Sequence, residues 1–197
     1  GPARRSAQSA MYHVASAIVR MLAPICPHTA DEAWQELARL HAAEGLSPSV
    51  HLADYPRAEE FSHDLALEAR YSAVFKVKAA LDRILDRMRK DGSLRNSTAA
   101  HVTLATTDDE LRALLHGFTP RALASNLVVS EVELVDERPT DAEDAADVAG
   151  LALRVVPSAH GKCERCWNHW PAVALRAQHD AALCDRCCEV LGACAIG

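Results

Sequence analysis

The sequence predicts a mainly α chain with an α+β remainder. It divides into an N-terminal antiparallel helical bundle, a small α/β junction unit and a C-terminal four-cysteine zinc-binding finger. Three observations predict this. Apolar residues recur every three or four positions through the first 90 residues, the period of a helix face. After residue 95 the pattern shortens to strand-like runs broken by short helical ones. Near the C-terminus stand two C-x2-C pairs, Cys163-Glu164-Arg165-Cys166 and Cys184-Asp185-Arg186-Cys187, separated by 17 residues. The expected division is 1–92, 93–157 and 158–197.

Residues 6–23 form the first predicted helix, with Ala7, Met11, Val14, Ile18 and Leu22 on one face. Pro24 and Pro27 end it, since proline lacks the amide a helix interior needs. The second helix starts at Thr29, whose hydroxyl caps free amides and whose Glu32 completes a capping box. Ala33, Trp34, Leu37 and Leu40 give its apolar face, Trp34 being a core residue, and Gly45 stops it. Residues 46–57, with Pro48 and Pro56, are a loop. A long helix follows from Phe61 to Lys90, lined by Val74, Val77, Leu81, Ile84, Leu85 and Met88 and closed by Asp91-Gly92. Three helices with faces this apolar predict a bundle.

His101 to Ala105 reads as a strand. Asp108 to Leu115 reads as a short helix. Thr119-Pro120 is an N-cap followed by proline at the first helical position, so another short helix begins there. Leu127 to Val135 alternates and reads as a strand, and Leu151 to Val156 as a third. The acidic stretch from Asp136 to Gly150 reads as a solvated loop, because charge-rich segments without aromatics seldom pack.

Two residues between cysteines turn both sulfurs toward one point. Two such knuckles close a tetrahedron around Zn²⁺ at about 2.3 Å per sulfur, with no open coordination position, so the predicted site is structural. Its ligands are Cys163, Cys166, Cys184 and Cys187. A disulfide framework fits poorly, since seven is an odd number and the first 20 residues lack a signal-peptide apolar core. A thioredoxin-like motif would need a βαβ unit around the first pair. Cys26, Cys188 and Cys194 read as small buried residues, and His160, His169 and His179 as surface or packing residues.

The chain has 197 residues, 49% of them hydrophobic and 5% aromatic, so aliphatic side chains must fill its cores. No apolar run is long enough to span a membrane. The net charge of −6 argues against wholesale coating of nucleic acid, yet the charges segregate. Residues 70–95 hold eight basic side chains against three acids, and residues 131–147 hold eight acids against Arg138. Glycine-rich phosphate loops, the G-x-S-x-G elbow and H-E-x-x-H are absent. Cys26, His28 and Asp31 lie close in sequence, but a nucleophile also needs an oriented base and an oxyanion site. The residues alone describe a binding module, with no catalytic residue assigned.

Several segments carry a resemblance. Ala3 to His13, Leu22-Ala23-Pro24-Ile25 and Thr29-Ala30-Asp31-Glu32-Ala33-Trp34 resemble the anticodon-binding helical domain of class I aminoacyl-tRNA synthetases. Val77 to Leu81, Gly92 to Ser97, Val102-Thr103-Leu104, Lys162 to Trp167 and Cys184 to Cys187 are most similar to the bacterial isoleucyl-tRNA synthetase family. The order fits over essentially the whole chain, with Asn96-Ser97 the main departure. The resemblance implies the C-terminal third of a ligase that joins isoleucine to its tRNA with ATP and Mg²⁺. The H-x-G-H and K-M-S-K-S motifs and the editing domain are not in this chain, so it is expected to recognise the anticodon arm without aminoacylating. Gly1-Pro2 reads as a linker or tag remnant. The implied partners are tRNA and the rest of the synthetase, with no membrane, in a cytoplasmic monomer. Candidate RNA contacts are Arg4, Arg5, Lys76, Lys78 and Arg83 on the helices, and Arg165, Trp167, Trp170 and Arg186 on the knuckles. Trp167, next to a ligand cysteine, has a second reading as a cover over the metal. The alternatives are a zinc-finger DNA-binding module of a repair glycosylase and a non-catalytic structural domain.

Overall fold

The structure is a computed structural model that describes residues 2–40, 45–61, 63–176 and 180–192. The chain divides into two compact units, Gly1–His63 and Asp64–Gly197. It is about half helical with a small mixed sheet. Among the described residues no helix is long and apolar enough to cross a membrane.

In the first unit, α1 (Pro2–Leu22) and α2 (Pro27–Leu40) pack around Val19, Ala23, Ala30, Trp34 and Val50. The second helix starts two residues before the expected Thr29. Pro27 takes its first position, where a missing amide costs nothing, and the Cys26 carbonyl accepts from Ala30 N at 2.9 Å. Trp34 is 3% exposed, and its indole donates to the Ser47 carbonyl at 2.8 Å. Arg20 pairs with Glu60 at 2.7 Å. The face expected to be the core of α1 is only marginally covered: Met11 is 71% and Val14 56% exposed. A 14-residue α2 is about 21 Å long and cannot cover a helix of 21 residues, about 32 Å.

The second unit is built on α3 (Leu65–Lys90), which starts later than the expected Phe61 because Asp64 caps it, accepting from Leu67 N at 2.9 Å. Four strands follow: β1 (Ala100–Thr106), β2 (Glu131–Val135), β3 (Glu143–Asp144) and β4 (Leu151–Pro157), in the order β2-β1-β4-β3. β1 and β2 are parallel, joined through α4 (Asp109–His116) and α5 (Pro120–Leu127); the other pairings are antiparallel. Val77, Leu81 and Leu85 of α3 share one core with Val102 and Leu104 of β1, Leu115 of α4, Leu127 of α5 and Leu153 of β4. The expected boundary at residue 92 groups this helix with the first two. The compact unit instead begins at Asp64, because the buried stripe of α3 supplies the core under the sheet.

Two expectations are corrected in detail. The strand expected from Leu127 starts at Glu131: Leu127 ends α5, and Val128 takes a left-handed conformation (φ 59°) as its C-cap. A short apolar run has no period that separates a helix end from a strand. The acidic stretch is more than a solvated loop. It contributes β3, buries Ala142, packs Ala145 and Val148 against the core, and pairs its acids with arginines. Asp141 holds Arg154 at 2.7 Å, Asp144 holds Arg138 at 2.6 Å, and Asp147 and Glu143 hold Arg83 and Arg87 of α3.

Candidate metal centre and basic surfaces

The finger begins with a hairpin of β5 (Gly161–Lys162) and β6 (His169–Trp170), whose connection carries Cys163 and Cys166. A second hairpin, β7 (Ala174–Arg176) and β8 (Ala181–Leu183), delivers Cys184 at the start of α6 (Asp185–Val190), which carries Cys187. The connection between β5 and β6 is held by Cys163 N–H donating to the Asn168 carbonyl at 2.9 Å and Trp167 N–H donating to the Cys163 carbonyl at 2.8 Å. Glu164 N–H donates to the Ala182 carbonyl at 2.9 Å and joins the two knuckles.

All four sulfurs lie within 4.8 Å of one another, and Cys166 and Cys184 are 3.9 Å apart. A tetrahedron with metal–sulfur bonds of about 2.3 Å has edges near 3.8 Å. Cys163, Cys184 and Cys187 are buried and Cys166 partly so. The surroundings favour thiolate at Cys163 and thiol at Cys166 and Cys184. Burial raises the Cys163 thiol, but amides of Cys166, Cys184 and Arg165 outweigh it and bring it down to about 6. Burial pushes Cys184 up to about 12, reinforced by the neighbouring thiols of Cys187 and Cys163. Burial also raises Cys166, against the Asn168 amide and the Trp170 indole. That indole nitrogen is buried and makes no regular hydrogen bond; the Cys166 sulfur is the acceptor it approaches. Sulfurs this close can share one cation rather than protons. Four thiolates around a divalent ion leave a net charge of about −2, and Arg165 Nη1, 3.7 Å from the Cys187 sulfur, offsets part of it.

The finger is tied to the sheet. His169 N–H donates to Ser130 Oγ at 2.6 Å, and Ser130 Oγ–H donates to the Thr98 carbonyl. His160 Nε2 lies 3.1 Å from Glu131 Oε2, and His169 Nδ1 is 2.8 Å from the His160 carbonyl. These histidines are therefore committed to packing, as expected; His179 and Cys194 lie outside the described residues, Cys188 is buried, and Cys26, expected to be buried, is exposed. The Arg121 guanidinium sits 4.8 Å over the Trp170 ring. Sequence reasoning missed Arg121, Ser130 and Glu131. Nothing in a Thr-Pro-Arg helix start marks the arginine as a neighbour of a tryptophan 49 residues away.

The candidate RNA-contacting residues fall into separate groups. Arg165, Trp167 and Arg186 are exposed on the knuckles, while Trp170 is half-buried beneath Arg121. Trp167 is 65% exposed, so it is no cover over the sulfurs, and it adopts a left-handed φ of 64°. Arg4 and Arg5 are exposed on α1, and Lys76 on α3. Lys78 is held by Asp82 at 2.6 Å and Arg83 by Asp147. Asp31 of the Cys26-His28-Asp31 group accepts from Ser49 Oγ–H at 2.6 Å and Val50 N–H at 3.0 Å. It therefore serves as a structural clasp.

Comparison with known proteins places this geometry. The family described as "Anticodon-binding domain of tRNA ligase" matches residues 1–104. The chain is 41% identical over 188 residues to an isoleucine–tRNA ligase of Teredinibacter turnerae, covering 94% of the chain and 19% of that protein. It is 40% identical over 190 residues to the isoleucine–tRNA ligase of Pseudomonas paraeruginosa, covering 95% and 19%. With that of Syntrophotalea carbinolica it shares 35% over 189 residues, covering 96% and 20%. The chain thus spans about a fifth of the length of the curated relatives it matches. With more than half of its residues matched by that family, the chain belongs to the anticodon-binding domains of tRNA ligases.

Proposed function

We propose that the chain is the tRNA-recognition region of an isoleucine–tRNA ligase, and that its four sulfurs hold one structural Zn²⁺. The observation that carries this is the family match over residues 1–104, continued by isoleucine–tRNA ligase similarity through the cysteine knuckles. The parent protein attaches isoleucine to its tRNA using ATP and Mg²⁺ in a catalytic region outside this chain. The ligase acts as a cytoplasmic monomer, and this segment works with the rest of the synthetase chain.

Bound Zn²⁺ supplies cross-linking rather than reaction chemistry, because four thiolates fill its coordination. A finger this small has too little apolar core to order itself, and its buried cluster is mostly the cysteines themselves with Leu183. The chain's residues do the recognition. Anticodon-arm bases are unstacked, so they can be read by aromatic stacking and hydrogen bonds, while Lys and Arg hold phosphates. Trp167 offers an exposed ring, and Arg165 and Arg186 are exposed on the knuckles. Arg4, Arg5 and Lys76 are exposed cations for phosphate. Lys78 and Arg83 contribute less, because each must first leave its carboxylate.

The test is titration of the zinc-loaded chain with tRNA transcripts carrying isoleucine or swapped anticodons, and with duplex DNA. Preference for isoleucine anticodons is expected. Preferential duplex-DNA binding would instead support the repair-type finger, and binding to neither would support a structural domain. ATP–pyrophosphate exchange by the isolated chain is expected to be undetectable.

A further inference from the structure

A cleft of about 190 Å³ opens where α5 meets the finger. One wall is Arg121, Ser125 and Val128 from α5 and its C-cap; the other is Asn168, Trp170 and Arg186 from the two knuckles. Its size decides what it can hold. An engineered apolar cavity of about 150 Å³ admits benzene, and drug-sized ligands need roughly 300–1,000 Å³. The cleft therefore encloses one phosphate with its sugar, and anything attached to them must extend to its exposed edge.

Its chemistry selects further. None of the residues lining it is acidic, although the chain as a whole carries −6. Both guanidiniums are exposed, and neither has an ion-pair partner among the described residues, where Arg83, Arg87, Arg138 and Arg154 all do. Arg121 instead lies over the Trp170 ring, its guanidinium carbon 4.8 Å from the centroid. A cation–π contact places the guanidinium without neutralising its charge, so its N–H donors can still take an anion. The Ser125 hydroxyl and the Asn168 amide add donors beside it, and the Val128 side chain, 49% exposed, gives an apolar edge. A paired cation site with donors and a small apolar edge suits a nucleotide.

We infer that this cleft is a single-nucleotide site for RNA, in which Arg121 and Arg186 grip one backbone phosphate and the attached base lies against Val128. The inference rests on the reading that the chain binds tRNA and adds Arg121, Ser125 and Asn168 to the recognition surface. It also makes the cleft dependent on the metal. Arg186 lies between two ligand cysteines, Asn168 receives the amide of a third, and the Trp170 indole approaches the fourth.

The zinc-loaded chain, labelled with ¹⁵N, is titrated with a single-stranded RNA pentamer and separately with inorganic phosphate, following the Trp170 indole N–H. In parallel, tRNA affinity is measured for the wild type, Arg121→Gln, Arg186→Gln and Ser125→Glu. Ser125 is exposed, so Ser125→Glu places an acid in the cleft without touching the core. RNA is expected to shift the indole signal, and each variant to weaken tRNA binding about tenfold while keeping one equivalent of zinc. Each arginine variant is also expected to lower the salt slope, by at most about 0.7 because the two share one phosphate. Wild-type tRNA binding with all three variants unaffected and the indole unmoved would overturn the cleft and leave the tRNA reading intact. A shift with phosphate but none with RNA would overturn it in favour of a free-anion site. Failure of the wild type to bind either RNA would remove both.

Discussion

Substituting Trp167 by glycine separates an RNA-facing ring from a structural one. Trp167 holds φ at 64°, a conformation that costs an L-residue roughly 1–2 kcal/mol and glycine almost nothing. Against that gain, glycine adds unfolded-state freedom worth about 0.4–1 kcal/mol. The variant also loses the Lys162 ammonium over the ring at 5.7 Å, an exposed contact worth about 0.5 kcal/mol. The sum lies between about 0.5 kcal/mol of destabilisation and about 1 kcal/mol of stabilisation. A ring packed over the sulfurs would instead cost about 3–5 kcal/mol on removal. Loss of base stacking costs about 1–3 kcal/mol, a tRNA affinity lower by about 5- to 150-fold. The measurements are resistance of the finger to chelator, zinc content and tRNA affinity of Trp167→Gly beside the wild type. Affinity within twofold of the wild type, or a finger that gives up its metal, would refute the assignment.

Three further outcomes are expected. Cys184→Ser should bind well under one equivalent of zinc and lose amide dispersion over residues 161–192, while signals from the Leu81–Leu104–Leu153 core stay put; a fully dispersed, metal-loaded variant would contradict the four-sulfur site. Metal affinity should fall as pH falls, because at neutral pH the metal-free protein carries protons on Cys166 and Cys184 that binding must expel. Release of at least those two protons corresponds to at least about a hundredfold in apparent affinity per pH unit, and competition with a metal indicator between pH 6.5 and 7.5 would refute this by a slope shallower than tenfold. Asp31→Asn should lower the melting temperature of the first unit at neutral pH. Hydrogen bonds from Ser49 and then Val50 hold the Asp31 carboxyl below its ordinary 3.8. Its contribution is therefore present above that value and lost as pH falls through the lower folded one, so the two proteins should converge in acid.

The four-cysteine spacing made the metal cluster legible, because a tetrahedron tolerates few arrangements of two C-x2-C pairs. Local capping chemistry was legible in part: Thr119 accepts from Ala122 N as its position before proline predicts, whereas Asp108, read as the first residue of its helix, is its cap, and Thr29 lies inside α2. What the sequence did not reveal depends on distant partners. The stripe on α3 has the same period whether it meets two helices or a sheet, so Val77 and Leu81 could not announce Val102 and Leu104. Charge segregation misled for the same reason. A basic helix and an acidic segment some 50 residues apart read as two separate features, and the fold uses part of one to neutralise part of the other through Arg83–Asp147 and Arg87–Glu143.

That neutralisation bears on how RNA recognition is divided. A counterion-release contact is strongest where the cation has no competing carboxylate. The arginines engaged by the acidic segment are poorly placed for it, since breaking an exposed ion pair returns up to about 1 kcal/mol of what a phosphate would contribute. The oriented cations with no carboxylate partner among the described residues lie elsewhere, within three residues of a sulfur ligand or over Trp170. Arg165 and Arg186 are fixed by the knuckles that carry them, and Arg121 is fixed by a ring whose strand is bound to Ser130. If the four sulfurs hold Zn²⁺ as proposed, removing it should do more than loosen a small finger: it should release the backbone that positions Arg186, Asn168 and Trp170 together, so that zinc loading sets RNA affinity.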